Sequence, residues 1–319
     1  MEYVLGIGIP LAVLILLCVA LALILRRFYG IAFLRAPEKQ LDINMLGAPW
    51  TVYLDQIRSG MEWLDAHTDE RVEITSFDGL KLCASIVLCE NARGTALLCH
   101  GYRSRGCLDF SCSMSFYHDL GFNLVIIDER ACGQSEGDTI TFGLKERQDV
   151  LSWLGFIRER FGEQEPVLLG GVSMGCATVL MSLGLDLPDN VKGAIADCGY
   201  TSPWAQLSHN LRQEYHLPPF PMMHLINVIF RRRTGCDLRE GDTVKALRAN
   251  GGRTPVFFIH GGADDFVPTD FTRENYAACT ADKDLLIVPG AGHAVSYLVD
   301  GEAYREKSVA FLDKHFPKG

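Results

Sequence analysis

The chain has no excess of positive charge: among 319 residues, 30 Lys or Arg face 39 Asp or Glu, a formal net charge of −9 at pH 7. A protein that neutralises the phosphates of a nucleic acid needs the opposite balance, so no nucleic-acid partner is expected. Paired metal-ligand spacing is also missing. None of the eleven cysteines forms a Cys-x-x-Cys pair and the nine histidines show no ligand clustering, which argues against a zinc site or a secreted disulfide scaffold. Cys99, Cys132, Cys176 and Cys198 lie in or beside apolar runs, where a free thiol packs as a small hydrophobe in a reducing compartment. Internal repeats and low-complexity tracts are absent as well. With 48% apolar and 22% charged residues, the composition is that of a chain able to bury a large core.

Charge is missing altogether from Val4 to Leu25, a run of 22 residues that as a helix rises about 33 Å, enough to span a bilayer. No Lys or Arg precedes the run and no small-x-small cleavage site follows it, so a retained anchor is favoured over a signal peptide or a buried core helix. Arg26, Arg27, Arg35 and Lys39 flank only its C-terminal side, which the positive-inside rule keeps in the cytoplasm. The expectation is a single-pass plasma-membrane protein with its N-terminus outside and its body in the cytosol. On this reading residues 1–27 are the anchor, 28–71 a juxtamembrane segment and 72–319 the soluble domain.

Beyond Val72, short apolar runs alternate with longer helical stretches, the signature of an α/β fold. Val72 to Ser76 and Leu80 to Leu88 flank Asp78-Gly79, a turn that predicts an antiparallel hairpin. Ala96 to Cys99, Leu124 to Asp128, Val167 to Val172, Ala194 to Asp197, Val256 to Ile259 and Leu285 to Val288 read as strands buried on both faces. Val150, Leu154, Ile157 and Phe161 recur with helical spacing, as do Val309, Leu312 and Phe316 at the end. Residues from about 200 to 250 contain no clear strand and are too long for a plain connection, which predicts a helical cap. The apolar side chains of this insertion, among them Trp204, Phe220 and Met223, are candidates for substrate contact and equally for the cap's own packing. The run Arg231 to Arg233 reads more readily as a solvated charge cluster than as a contact for lipid headgroups.

The motif with the most chemical content is Gly171-x-Ser173-x-Gly175, set between a strand end and a helix start, which is the context of a nucleophile elbow. Small neighbours are a steric requirement there, because a side chain at either glycine would crowd the turn. A serine hydroxyl is a poor nucleophile at its free pKa, so it needs a base and a group that orients the base. Both types occur downstream, in His260-Gly261-Gly262-Ala263-Asp264-Asp265-Phe266-Val267-Pro268 and in Gly292-His293. Loops that follow parallel strands emerge at one sheet edge, so Ser173, Asp264 and His293 can meet there although they are far apart in sequence.

With these motifs, together with His100-Gly101-Tyr102 and Asp128-x-Arg130-Ala131-Cys132-Gly133, the chain resembles the α/β-hydrolases from about Val72 to Phe316. Within that superfamily it resembles bacterial membrane-anchored serine hydrolases of unassigned substrate. The resemblance implies a mostly parallel eight-stranded sheet flanked by helices, with a helical cap. It also implies Ser173 as nucleophile, His293 as base, Asp264 as orienting acid, and the backbone N–H groups of Tyr102 and Met174 as the oxyanion hole. No metal or cofactor is called for. Tyr102-Arg103-Ser104 stands where lipases carry several glycines, which argues against a triglyceride lipase.

The expected activity is hydrolysis of a carboxylic ester, thioester or amide through an acyl-enzyme. A serine peptidase with the same three residues and a catalytically silent scaffold are the alternatives. Asp265 adjoins Asp264 and Asp197 ends another strand, so both compete for the acid's role. His100 and His260 read as loop braces, and Asp128 and Arg130 as a loop-stabilising pair.

Overall fold

The computed structural model describes residues 2–37, 47 and 49–317; Lys39 lies outside these residues, with the rest of 38–46 and position 48. The described strands are β1 (Glu70–Thr75), β2 (Lys81–Val87), β3 (Gly94–Cys99), β4 (Phe122–Ile127), β5 (Val167–Val172), β6 (Val191–Asp197), β7 (Val256–Gly261) and β8 (Lys283–Val288). Among the described residues two α-helices precede them, α1 (Glu2–Phe33) and α2 (Leu54–His67), the second led by a 3-10 turn at Trp50–Tyr53. The short α3 (Gly106–Asp109) and α4 (Met114–Asp119) follow β3, α5 (Glu146–Phe161) follows β4, and α6 (Met174–Ser182) follows β5. Between β6 and β7 come α7 (Pro203–Gln213), α8 (Pro219–Thr234) and α9 (Thr243–Ala249), the helical insertion expected from the sequence. Then α10 (Thr269–Ala278) follows β7, and α11 (Ser296–Val299) and α12 (Gly301–His315) follow β8.

The strands form one sheet in the order β1-β2-β4-β3-β5-β6-β7-β8. β2 pairs antiparallel with β1 and β4, and every other neighbouring pair is parallel. The Asp78-Gly79 signal makes the first hairpin: Gly79 takes φ +90°, and Ser76 Oγ donates to Asp78 Oδ1 at 2.9 Å while accepting from Leu80 N at 2.8 Å. β3, β4 and β5 are buried along their whole length, which is why they read as unbroken apolar runs rather than alternating ones.

Each face of the sheet carries its own helices. Val150, Trp153, Leu154 and Ile157 of α5 pack with Cys176, Val179 and Leu180 of α6 on one face, and Tyr117 of α4 with Phe311 and Leu312 of α12 on the other. A third cluster joins the cap to the sheet edge and to the end of α1, combining Leu25, Tyr29 and Phe33 with Phe142, Met223, Ile226 and Phe230.

Arg130 is buried and grips two carboxylates: Asp149 at 2.6 Å through Nε and Nη2, and Asp78 at 3.0 Å through Nη1 and Nη2. It thereby ties the first hairpin to α5. Asp128 has a different task, accepting from Gln134 N at 2.9 Å. The two residues steady neighbouring loops with separate partners, so the expected pair does not form between them.

The described residues of the 28–71 segment pack on the body. Leu34 bridges to Thr139, Arg35 donates to the carbonyls of Gly133 and Ser135, and α2 buries Ile57 and Leu64. α1 itself runs past the uncharged stretch to Phe33, and its portion Leu11–Phe33 is long and apolar enough to cross a membrane.

Candidate active site

Ser173 sits between the end of β5 and the first residue of α6, with φ +56° and ψ −114°. A non-glycine residue in that region is strained, and the neighbours show what holds it there. A Cβ on Gly175 would lie 2.0 Å from the carbonyl oxygen of Cys99, and one on Gly171 would lie 2.4 Å from that of Gly175. Both positions therefore require glycine for space alone. Ser173 N–H donates to the carbonyl of Asp197 at 2.9 Å, fastening the turn to β6.

From this turn a chain of hydrogen bonds runs inward. Ser173 Oγ lies 2.9 Å from His293 Nε2, and His293 Nδ1 lies 2.7 Å from Asp264 Oδ2. An ionised carboxylate can only accept, so Nδ1 carries the proton and Nε2 is left as acceptor for the serine hydroxyl. All three side chains are buried. Oδ1 of Asp264 accepts from the N–H groups of Phe266 at 3.0 Å and Val267 at 2.9 Å. Burial pushes the Asp264 carboxyl up, but hydrogen bonds from His260, His293 and Val267 N–H outweigh it and hold the group well below the usual carboxylate range.

The neighbouring acids separate cleanly. Asp265 is exposed, and its carbonyl accepts from His209 Nε2 at 3.1 Å. Asp197 is buried, its Oδ1 finds no hydrogen-bond partner among the described residues, and burial raises its carboxyl to about 6. Among the described hydrogen bonds, only Asp264 of these three carboxylates reaches His293.

His260 does more than brace a loop. Its Nε2–H is shared between the Val267 carbonyl at 2.9 Å and Asp264 Oδ2 at 3.1 Å, while Nδ1 accepts from Thr272 Oγ1 at 2.7 Å. The residue holds the same carboxylate oxygen that faces His293. Its place four residues before Asp264 was a legible signal, since both flank the turn that leaves β7. His100 is a brace, with Nδ1 donating to the Gly101 carbonyl and Nε2 accepting from Glu129 N.

The loop after β3 comes close to the serine: a Cβ on Gly101 would lie 3.2 Å from Ser173 Cβ. Tyr102 follows on this loop and Met174 follows Ser173, so both expected backbone donors belong to segments that converge on the hydroxyl. Two cavities meet there. One, of about 200 Å³, is largely apolar and is lined by Phe142, Leu211, Met223, Ile226 and Val267 along with the end of α1. The other, of about 260 Å³, is lined by Trp50, Ile57, Asp109, Asp197, His293 and Tyr297. Of the three cap residues expected to touch substrate, Met223 lines the first cavity, whereas Trp204 and Phe220 line neither. Trp204 packs edge-on against His224 and lies under Arg239, and Phe220 is 72% exposed. The backbone leaves helical geometry at Phe220 itself.

Sequence reasoning missed the contributions from before Val72. Trp50 stands edge-on to the His293 ring at 6.3 Å, and Phe28, Ile31, Ala32 and Phe33 line the apolar cavity. A stretch that continues an unbroken apolar run carries no periodicity to single out its last turns.

Cys198, Asp264 and His293 each bring a potential metal-ligand atom within 4.8 Å of the others. Two of them are already committed to each other at 2.7 Å, and burial pushes the Cys198 thiol well above its usual range, so the thiolate a metal needs is disfavoured. The donor set suits proton relay rather than metal binding.

A family model described as the alpha/beta hydrolase fold matches residues 97–235. The chain is 31% identical over 219 residues to the uncharacterized protein YqkD of Bacillus subtilis, covering 69% of this chain and 71% of that one. It is 24% identical to the uncharacterized protein YfhR of Escherichia coli K12, covering 78% and 82%. Among solved structures, an esterase of Pyrococcus furiosus superposes with a TM-score of 0.62 at 20% identity, over 80% of this chain and 94% of that one. At that identity the likeness concerns the fold.

Proposed function

The chain belongs to the α/β-hydrolase superfamily, and from that membership we propose that it is a serine hydrolase acting on a carboxylic ester, with thioesters within reach of the same chemistry. The observation that carries the reading is the unbroken hydrogen-bond chain from Ser173 Oγ through His293 to Asp264, rooted at a strained strand-to-helix turn. Ser173 Oγ attacks the carbonyl carbon as its proton passes to His293 Nε2. The N–H groups of Tyr102 and Met174 receive the oxyanion, and Asp264 stabilises the imidazolium. Collapse of the tetrahedral intermediate breaks the ester bond, and the leaving alcohol takes the proton from Nε2. Water then attacks the acyl-enzyme, again giving up a proton to His293, and the carboxylic acid departs as Ser173 recovers its hydrogen.

A fluorophosphonate probe is expected to label the full chain at Ser173, located by peptide mass spectrometry. Folded protein that resists labelling would remove the reading. A silent scaffold would not need to keep the histidine in the tautomer that accepts from serine.

The placement proposed for the chain is a single span by α1 with the hydrolase body in the cytosol. Leu11 to Ile24 are exposed on every side of the helix, as lipid-covered residues would be, and Arg26 and Arg27 follow directly. Protease added to intact cells is expected to leave the body uncut. Digestion from outside would reverse the orientation.

A further inference from the structure

From Leu11 to Ile24 the side chains of α1 are exposed, but its last turns divide into two working stripes. Leu25, Tyr29 and Phe33, spaced by four, are buried against the cap, with the Phe33 ring 4.8 Å from that of Phe230. Phe28, Ile31 and Ala32 lie on the adjoining face and form one wall of the apolar cavity that ends at Ser173. The helix that carries the chain into an apolar phase is thus also a wall of the reaction chamber.

The attachment is polar as well as apolar. Tyr102 Oη donates to the carbonyls of Ile31 at 2.9 Å and Ala32 at 3.0 Å, and Arg103 Nη2 donates to those of Gly30 at 3.0 Å and Leu34 at 2.6 Å. These carbonyls sit at the C-terminal end of the helix, where cationic donors are favoured. The same loop supplies the backbone N–H assigned to the oxyanion, so one loop contacts both the end of α1 and the reacting centre.

The level of the cavity follows from helix geometry. Phe28 to Ala32 lie within about 8 Å of Arg27 along the axis, and Arg26 and Arg27 mark where an apolar span would meet anionic headgroups. On the cap, Arg231, Arg232 and Arg233 are exposed, with the Arg233 guanidinium 4.8 Å from the centre of the Tyr29 ring. Arg233 therefore adds a cationic group beside the last turns of α1, where Tyr29 lies close to the Arg26-Arg27 pair in sequence, while Arg231 pairs with Asp237 at 3.6 Å.

We infer that the substrate is a long-chain acyl ester dissolved in the bilayer, whose chain passes along α1 into the cavity walled by Phe28, Ile31 and Ala32 to bring its carbonyl to Ser173. The inference rests on the serine-hydrolase reading above and adds the source and acyl class of the substrate. A cavity of about 200 Å³ is small beside typical drug-sized sites of roughly 300–1,000 Å³. It holds the carbonyl end of the chain while the remainder stays against the helix.

The test uses the full chain in phosphatidylcholine vesicles. It compares kcat/KM for p-nitrophenyl palmitate dissolved in those vesicles with that for p-nitrophenyl butyrate in the aqueous phase. The native protein is expected to prefer the palmitate ester at least tenfold. Ala32→Phe, which fills the cavity from the α1 side, is expected to lower the palmitate-to-butyrate ratio tenfold or more. Phe28→Ala, which widens the cavity on the same side, is expected to raise it at least threefold. Fluorophosphonate labelling reports whether each variant is folded; if one is not, the other decides. A ratio unmoved in the folded variants overturns the inference, because a purely structural role for α1 would depress both esters alike. Labelling and butyrate hydrolysis without palmitate turnover would overturn the inference alone, and absence of labelling and of all turnover would remove the hydrolase reading with it.

Discussion

Ser173→Ala is expected to lower kcat on p-nitrophenyl butyrate by about 10⁶-fold, the scale seen when the nucleophile of a serine hydrolase is removed, with the melting temperature nearly unchanged. The size follows from how the site is built. His293 Nε2 has the Ser173 hydroxyl as its acceptor-side partner, and without Oγ no acyl-enzyme can form. What survives is the help that the backbone donors and the cavity give to direct attack by water. The fold should tolerate the loss of one oxygen, because the strained turn is held by the space around Gly171 and Gly175 and by the Ser173 N–H bond to Asp197, none of which involves Oγ. Stopped-flow measurement of p-nitrophenolate release gives kcat. A residual rate above one hundredth of the native value would mean that another group attacks.

Asp264→Asn is expected to cost about 10⁴ in kcat, the loss known when the orienting acid of such a triad becomes an amide. An amide can present N–H to His293 Nδ1 and so favours the tautomer that cannot accept from serine. The contacts of Oδ1 with Phe266 N and Val267 N would survive if the amide oxygen turns to them, which places the NH₂ group against both His260 and His293. Asp265→Asn should change the rate by no more than about tenfold, since Asp265 is exposed and, among the described hydrogen bonds, it takes part through its carbonyl. The reverse ranking would move the orienting role one residue along the loop. The pH profile offers a second check. A carboxyl whose folded pKa is depressed contributes stability that is present above its unfolded pKa and is lost as pH falls through the folded one. For Asp264 that loss lies below the ordinary carboxylate range, so the acid limb of the native pH–rate profile should not come from this residue.

Much of the architecture was legible because the central strands are buried on both faces and bounded by turn residues. Val167 to Val172, for example, is read as a strand by composition and observed as one with identical limits. Helix α5 announced itself through Val150, Leu154 and Ile157, each of which is buried. Ser173, Asp264 and His293 were legible as candidates for a different reason: each follows a strand end with a glycine within two residues, a steric pattern that survives in one dimension. The partners of Arg130 were not, because Asp78 and Asp149 lie on separate elements and nothing in the order of residues couples a hairpin turn to a helix.

The order of strands and helices, the elbow at Ser173 and the existence of a cap were written in periodicity, turn chemistry and glycine placement, all of which act over a few residues. The orientation of Asp264 rather than Asp265 toward His293 was set by the path of the loop after β7. The exposure of Phe220 outside the cavity and the recruitment of Phe28, Ile31 and Ala32 depended on how the cap packs against α1. These are matters of packing between distant segments, and a run of uniformly apolar residues contains no mark of which face another part of the chain will cover.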